Sequence, residues 1–187
     1  MTVLRRLQFV KAQIGAGNDL ALAGLLGAAD LPDGPWRVAG QRTWRTGEIG
    51  PATAWGQRAR EAGSVTAWRY YRHKATRRRI WIQLIPTASA EDASSLLAEV
   101  GERVLRNPIG RGRRVSERDV PAELFAGASL VWAREQHLED RQGPSIVLLL
   151  AGAVRHRVVI VCLSGRPEWD WQSASDLAAL QAARAPG

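Results

Sequence analysis

Hydrophobic positions recur along this chain with a period that switches between about 3.6 and 2 residues, the signature of helices alternating with strands. Val3, Leu7, Val10 and Ile14 fall on one helical stripe, with Arg5, Arg6 and Lys11 around it and Thr2 able to cap it. A second short helix is predicted over Asp19–Leu26, Asp19 lying favourably at its positive end. The turn residues Leu31-Pro32-Asp33-Gly34-Pro35 then mark the entry to the main fold.

From Trp36 to Arg45 the chain alternates as a strand. Trp36, Val38, Gly40, Arg42 and Trp44 are expected on one face, and Arg37, Ala39, Gln41 and Thr43 on the other. Residues 47–63 predict a connection holding a short helix that carries Trp55 and Ala59. Val65–His73 and Arg77–Ile85 predict a β-hairpin closed by Lys74-Ala75-Thr76, with Ile80, Ile82 and Leu84 opposite Arg79, Trp81 and Gln83. Next comes the clearest helix. Ser89 caps it, Glu91 and Asp92 occupy its first turn, and Ala93, Leu96, Leu97, Val100 and Val104 form its apolar stripe. Pro108 forbids its continuation.

Residues 110–127 predict a loop, basic and then acidic. Three strands are expected after it, at Ala128–Leu138, Ser145–Ala151 and Arg155–Leu163. The last two are apolar on both faces, as central strands covered on both sides must be. A final helix carries Leu177 and Leu180, with Ser173 or Ser175 as its cap. The predicted order is α-β-β-β-α-β-β-β-α, and the short strand-to-strand loops favour antiparallel pairing. The fold class is therefore α+β, with an antiparallel sheet of about six strands packed by helices. An N-terminal helical segment, residues 1–30, precedes one α+β domain over residues 35–187.

Charge narrows the choice of partner. The net charge is +8, with Lys11 and Lys74 the only lysines. Residues 1–114 hold 19 basic and nine acidic side chains, whereas residues 115–187 hold seven and nine. The excess peaks in one hairpin, where Arg69, Arg72, Lys74, Arg77, Arg78 and Arg79 occur with no acid among them, interleaved with Trp68, Tyr70, Tyr71 and Trp81. Such a surface is a candidate anion-binding site for an acidic protein or, through base stacking, a single-stranded nucleic acid. Its self-repulsion needs compensation, either from an external anion or from the acids Glu117, Asp119 and Glu123, or Glu135, Glu139 and Asp140.

Catalytic chemistry finds little footing. Ile14-Gly15-Ala16-Gly17 imitates a dinucleotide-binding turn, but Leu20 stands where the third glycine belongs and no βαβ unit follows. His73, His137 and His156 lie on different strands without ligand spacing, so no metal is expected. Glu135 shares a strand face with His137, a pairing open to an acid–base role or to plain surface polarity. Cys162 sits in an apolar run and reads as a core residue; as the one cysteine, it also excludes an intrachain disulfide. A single cysteine and the absence of a long apolar run predict a cytoplasmic protein without a membrane span. The run Leu20–Ala29 imitates an export signal, but Asp19 and two glycines interrupt its apolar character. No cofactor is expected. Eight tryptophans leave room for a Trp-lined small-molecule pocket as a third reading.

One resemblance supplements these readings. A strand and hairpin, a helix opened by Pro86-Thr87-Ala88-Ser89-Ala90-Glu91-Asp92-Ala93, a three-stranded meander and a C-terminal helix together resemble the PsbP-like α/β sandwich superfamily, which includes LpqN-type actinobacterial proteins. The similarity spans roughly residues 35–184 and lies in element order. It implies binding or adaptor work, in some members chaperoning, rather than catalysis. The expected function is thus non-enzymatic binding of another protein with an acidic surface, through the Val3, Leu7, Val10 and Ile14 stripe or through the sheet. Binding of nucleic acid or an anionic surface by the hairpin, residues 69–79, is the alternative.

Overall fold

The computed structural model describes residues 18–49, 52–106, 113–120, 125, 127–141 and 143–184, with backbone alone at 100–106 and 140. The stripe of Val3, Leu7, Val10 and Ile14 lies outside the described residues, as do the Ile14–Gly17 motif and Glu123. So do the side chains of Val100, Val104 and Asp140.

Seven antiparallel strands form one sheet in the order β1-β2-β3-β7-β6-β5-β4. They are β1 (Trp36–Arg45), β2 (Val65–His73), β3 (Arg79–Pro86), β4 (Arg113–Asp119), β5 (Leu130–Asp140), β6 (Gly143–Val154) and β7 (Arg157–Ser164). Helix α1 (residues 18–23) and α4 (Trp171–Arg184) cover one face; α2 (Ala54–Glu61) and α3 (Ala90–Arg106) cover the other. The α+β class with antiparallel pairing holds as expected.

The expected strand count is too low by one. Arg113–Asp119, expected as part of a loop, is the edge strand β4, exposed at every residue. No apolar periodicity marks it, because neither of its faces is buried. Instead, cross-strand ion pairs accompany its backbone pairing. Arg113 meets Glu139 at 2.9 Å, Arg118 meets Glu135 at 3.0 Å, and Asp119 receives Arg134 at 2.8 Å. Charge on an edge strand also discourages pairing with another chain.

The expected faces of β1 also need correction. A bulge between Val38 and Gly40 places Trp36 and Val38 on the α1/α4 side but Gly40, Arg42 and Trp44 on the α2/α3 side. One inserted residue reverses the alternation beyond it. Arg37 thereby shares a face with Arg42.

Two cores result from the central strands β3, β7 and β6. On the α4 side Ile80, Ile82, Val159, Val161, Leu148 and Leu150 pack with Leu177 and Ala178. On the α3 side Ile85, Val158, Ile160, Cys162, Val147 and Leu149 pack with Ala93, Leu96, Leu97 and Trp55. Ser89 caps α3 as expected, accepting from the Asp92 N–H. The cap of α4 is Asp170, which accepts from the Ser173 N–H at 2.7 Å, and neither Ser173 nor Ser175 takes that role. Burial pushes the Cys162 thiol up to about 12. Thiolate is the reactive form, so a maleimide should leave Cys162 unmodified in the native protein and label it once denaturant is added. Rapid native labelling would contradict its place in the core.

Buried polar groups tie the helices to one another. Tyr71 and Arg69 both donate to the Leu26 carbonyl at the exit of α1, and Arg69 reaches the Leu22 carbonyl as well. Gln181 of α4 accepts from the Leu26 N–H and donates to the Gly24 carbonyl, satisfying both ends of its amide. On the opposite face Arg58 of α2 forks onto the buried Asp92 of α3. Its hydrogen bonds hold the Asp92 carboxyl below the usual carboxylate range, against the opposing effect of burial. A depressed native value stabilises the fold above the unfolded carboxylate pKa of about 3.9, and the contribution disappears as pH falls through the native value. In urea unfolding, the stability gap between wild type and Asp92→Asn should therefore hold near neutrality and close below about pH 4. A gap constant down to pH 2 (roughly two units below that value) would show that the ion pair contributes nothing.

Candidate anion-binding site

The β2–β3 hairpin ends the sheet with a turn over residues 74–78. There an open cleft of about 270 Å³ is lined by Arg72, His73, Thr76, Arg77, Arg78 and Arg79. Its lining residues include no acid. Strand pairing explains the density of charge. Arg37 of β1 lies opposite Arg72 of β2, which lies opposite Arg79 of β3, so three arginines form a row across adjacent strands on one face. Like charges directly opposite one another destabilise a sheet. Across β1, β2 and β3 there is no Asp or Glu to relieve them.

Part of the cleft lining is already bonded. Arg78 stacks 4.2 Å from the Trp169 ring, donates to the Pro167 and Glu168 carbonyls, and pairs with Asp33 at 3.1 Å. Trp169 stacks in turn on Trp36 at 6.0 Å, and Trp36 meets the His73 ring edge-on at 5.0 Å. The backbone N–H groups of Ala75 and Thr76 both point at His73 Nδ1. That nitrogen must therefore accept, which leaves Nε2–H to donate to the Asp33 carbonyl at 2.9 Å. The turn is thus pinned to its own strand and to the segment after β7.

The six hairpin cations expected as one site consequently divide. Arg72, Arg77, Arg78 and Arg79 line the cleft, but Arg78 is committed to holding it together. Arg69 points to the opposite face, where it binds the exit of α1 and Gln41. Lys74 is exposed beside the cleft without lining it. His73 and Thr76 also line the cleft, and Arg37 joins the arginine row beside it without lining it; none of the three was expected in the site. The unbroken lack of acids from Trp36 to Pro86 within the strands was a signal for Arg37, whereas nothing local marks the other two.

The described members of the two acidic groups expected to compensate the hairpin are engaged elsewhere. Glu117, Asp119, Glu135 and Glu139 bond to arginines of β4 and β5, at the far edge of the sheet. Among the described residues, Asp33 reaches the hairpin as an ion pair with Arg78, and Asp170 feels the charge of Arg78 as well. The Glu135–His137 pair is part of that far edge. Arg118, foremost, and also His137 and Trp171 bond the Glu135 carboxylate and hold it below its usual range.

The aromatic residues near the cleft are engaged as well. Arg72 sits 5.7 Å from the Tyr70 ring, Trp68 lies against Gly40, and Trp81 packs against the α3-side core. No group of three or more metal-ligating side chains occurs among the described residues. Nor is any described helix long and apolar enough to cross a membrane.

No family model and no curated protein matches the sequence. Among solved structures, the extracellular domain of PknH from Mycobacterium tuberculosis superposes with a TM-score of 0.56 at 9% identity, covering 89% of this chain and 96% of that one. A putative uncharacterized protein (Rv0999 ortholog) from Mycobacterium smegmatis gives a TM-score of 0.47 at 11% identity, covering 90% and 97%. The likeness to the PknH domain is one of fold. That domain is extracellular, so the likeness lends no support to a cytoplasmic location for this chain.

Proposed function

We propose that this chain is a non-catalytic binding module that takes up an acidic segment of a partner protein at the basic end of β1, β2 and β3. The row of Arg37, Arg72 and Arg79, unrelieved by any acid on the three strands, carries this reading. Self-repulsion across that row is a standing cost that an anionic partner would offset. Kinship with the PsbP-like superfamily belongs to the same proposal and favours binding over chemistry.

Nucleic acid is the weaker candidate because stacking needs open ring faces. Here the rings of Trp68, Tyr70 and Trp81 already lie against Gly40, Arg72 and the core. Charge remains the main recognition element, and charge alone suits carboxylates on a protein surface.

The test compares a glutamate-rich peptide with a single-stranded oligonucleotide, each titrated against wild type and the Arg37→Ser/Arg72→Ser/Arg79→Ser variant. Arg78 is left intact because its loss would release the turn from Asp33, Pro167 and Glu168. The peptide should bind with an affinity that falls as salt rises, and the triple variant should lose about tenfold or more, some 1.4 kcal/mol. Equal affinity in the variant would remove the proposal. Tight oligonucleotide binding with a salt slope of about −0.7 per neutralised phosphate, lost in the variant, would replace it with the nucleic-acid reading.

A further inference from the structure

Resting on the protein-binding reading, we propose that the cleft at the β2–β3 turn takes a phosphorylated side chain of that partner segment, the phosphate serving as its anchor. Three observations support this. Arg72 and Arg79 are direct cross-strand neighbours, so their side chains leave the sheet on the same face, and both line the cleft. A carboxylate is satisfied by one guanidinium fork and carries a single charge, which leaves the second arginine uncompensated. A phosphomonoester carries about −1.5 to −2 charges near neutrality with three acceptor oxygens, enough to engage both forks.

Thr76 adds a third donor. Its hydroxyl oxygen accepts the Arg78 N–H at 3.2 Å, so its own O–H remains to donate into the cleft it lines. The cleft is also larger than one carboxylate requires, at about 270 Å³, and can hold a phosphate together with part of its stem.

Rigidity is the third observation. His73 and Arg78, which also line the cleft, are bonded to Asp33, Pro167 and Glu168. The turn that bears the cleft is therefore held in place before an anion arrives, and ordering costs fall on the exposed side chains that line it. Strand addition along β1, an edge of the sheet among the described residues, is a competing mode. The bulge between Val38 and Gly40 breaks the continuous pairing that such a mode needs.

The experiment uses the full chain and three fluorescent peptides identical except at the central position, which is phosphoserine, glutamate or serine, within a glutamate-containing background. Wild type should bind the phosphoserine peptide at least about tenfold more tightly than the glutamate peptide, and inorganic phosphate should compete where acetate does not. The second variant, Arg72→Lys/Arg79→Lys, keeps both charges and removes the planar forks. It should lose the phosphate preference while retaining affinity for the glutamate peptide. Equal affinities for the phosphoserine and glutamate peptides in wild type, or an undiminished preference in the lysine variant, would overturn the phosphate assignment and leave the acidic-segment reading standing. Failure of both charged peptides to bind would remove both.

Discussion

Truncating Leu97 to Ala should cost about 2–5 kcal/mol, the range for a fully buried leucine whose cavity cannot collapse. Leu97 is 1% exposed and Leu96 beside it 0%, both facing the α3-side core with Ile160, Leu149 and Ala153. The cavity would open against a rigid sheet whose central strands pack on their other face too. Relaxation would have to shift α3 itself, and α3 is held by the Arg58–Asp92 and Trp55–Glu99 bonds. Leu180→Ala serves as the control, because Leu180 is 44% exposed on α4. Thermal unfolding should show Leu97→Ala lowered by roughly 5–15 °C, at about 2–4 °C per kcal/mol for a chain of this size. A change no larger than that of Leu180→Ala would mean that α3 packs differently.

The second large effect is expected at Gly165, and it ties the fold to the cleft. Gly165 follows β7 with φ +104, a region that L side chains avoid. An added Cβ would overlap the Arg77 carbonyl and press on the Arg78 Cα. Both are backbone atoms and cannot rotate aside. Overpacking contributes about 1–3 kcal/mol and the disfavoured backbone about 1–2 more. Gly165→Ala should therefore lose about 2–5 kcal/mol of stability in urea unfolding. It should also weaken acidic-peptide binding, because the Arg77 N–H to Arg166 carbonyl bond and the Arg78–Trp169 stack both depend on that close approach. Unchanged stability would show that the turn and the segment after β7 are not locked together as described.

Sequence patterning read the buried parts of this molecule well because burial imposes periodicity. Strand β2 and helix α3 occur where alternation and capping predicted them, since each has a face that must leave water; β1 also occurs where expected, although Trp36 is its one buried residue. The strand β4 escaped notice because it buries neither face, and its Arg and Glu residues resemble a solvated loop. The reversal within β1 was likewise hidden. A bulge is set by the register of two strands at once, and no residue type in Trp36–Arg45 demands it.

What this sequence determined by itself is the class of fold and the location of its charge excess. The apolar runs of β6 and β7 require cover on both faces, and the acid-free stretch over β1, β2 and β3 makes one end of the sheet basic whatever its detailed geometry. Tertiary structure alone decided which charges could act. Arg69 and Arg78 look identical to Arg72 and Arg79 in the sequence, yet the first two are engaged by α1, Asp33 and the segment after β7. Arg72 and Arg79 become a pair because cross-strand register sets them side by side, and Arg37 joins them from a strand about 35 residues away in the chain. Partner assignment is a long-range property: an arginine's neighbours are chosen by how the chain returns to it, and local composition carries no record of that choice.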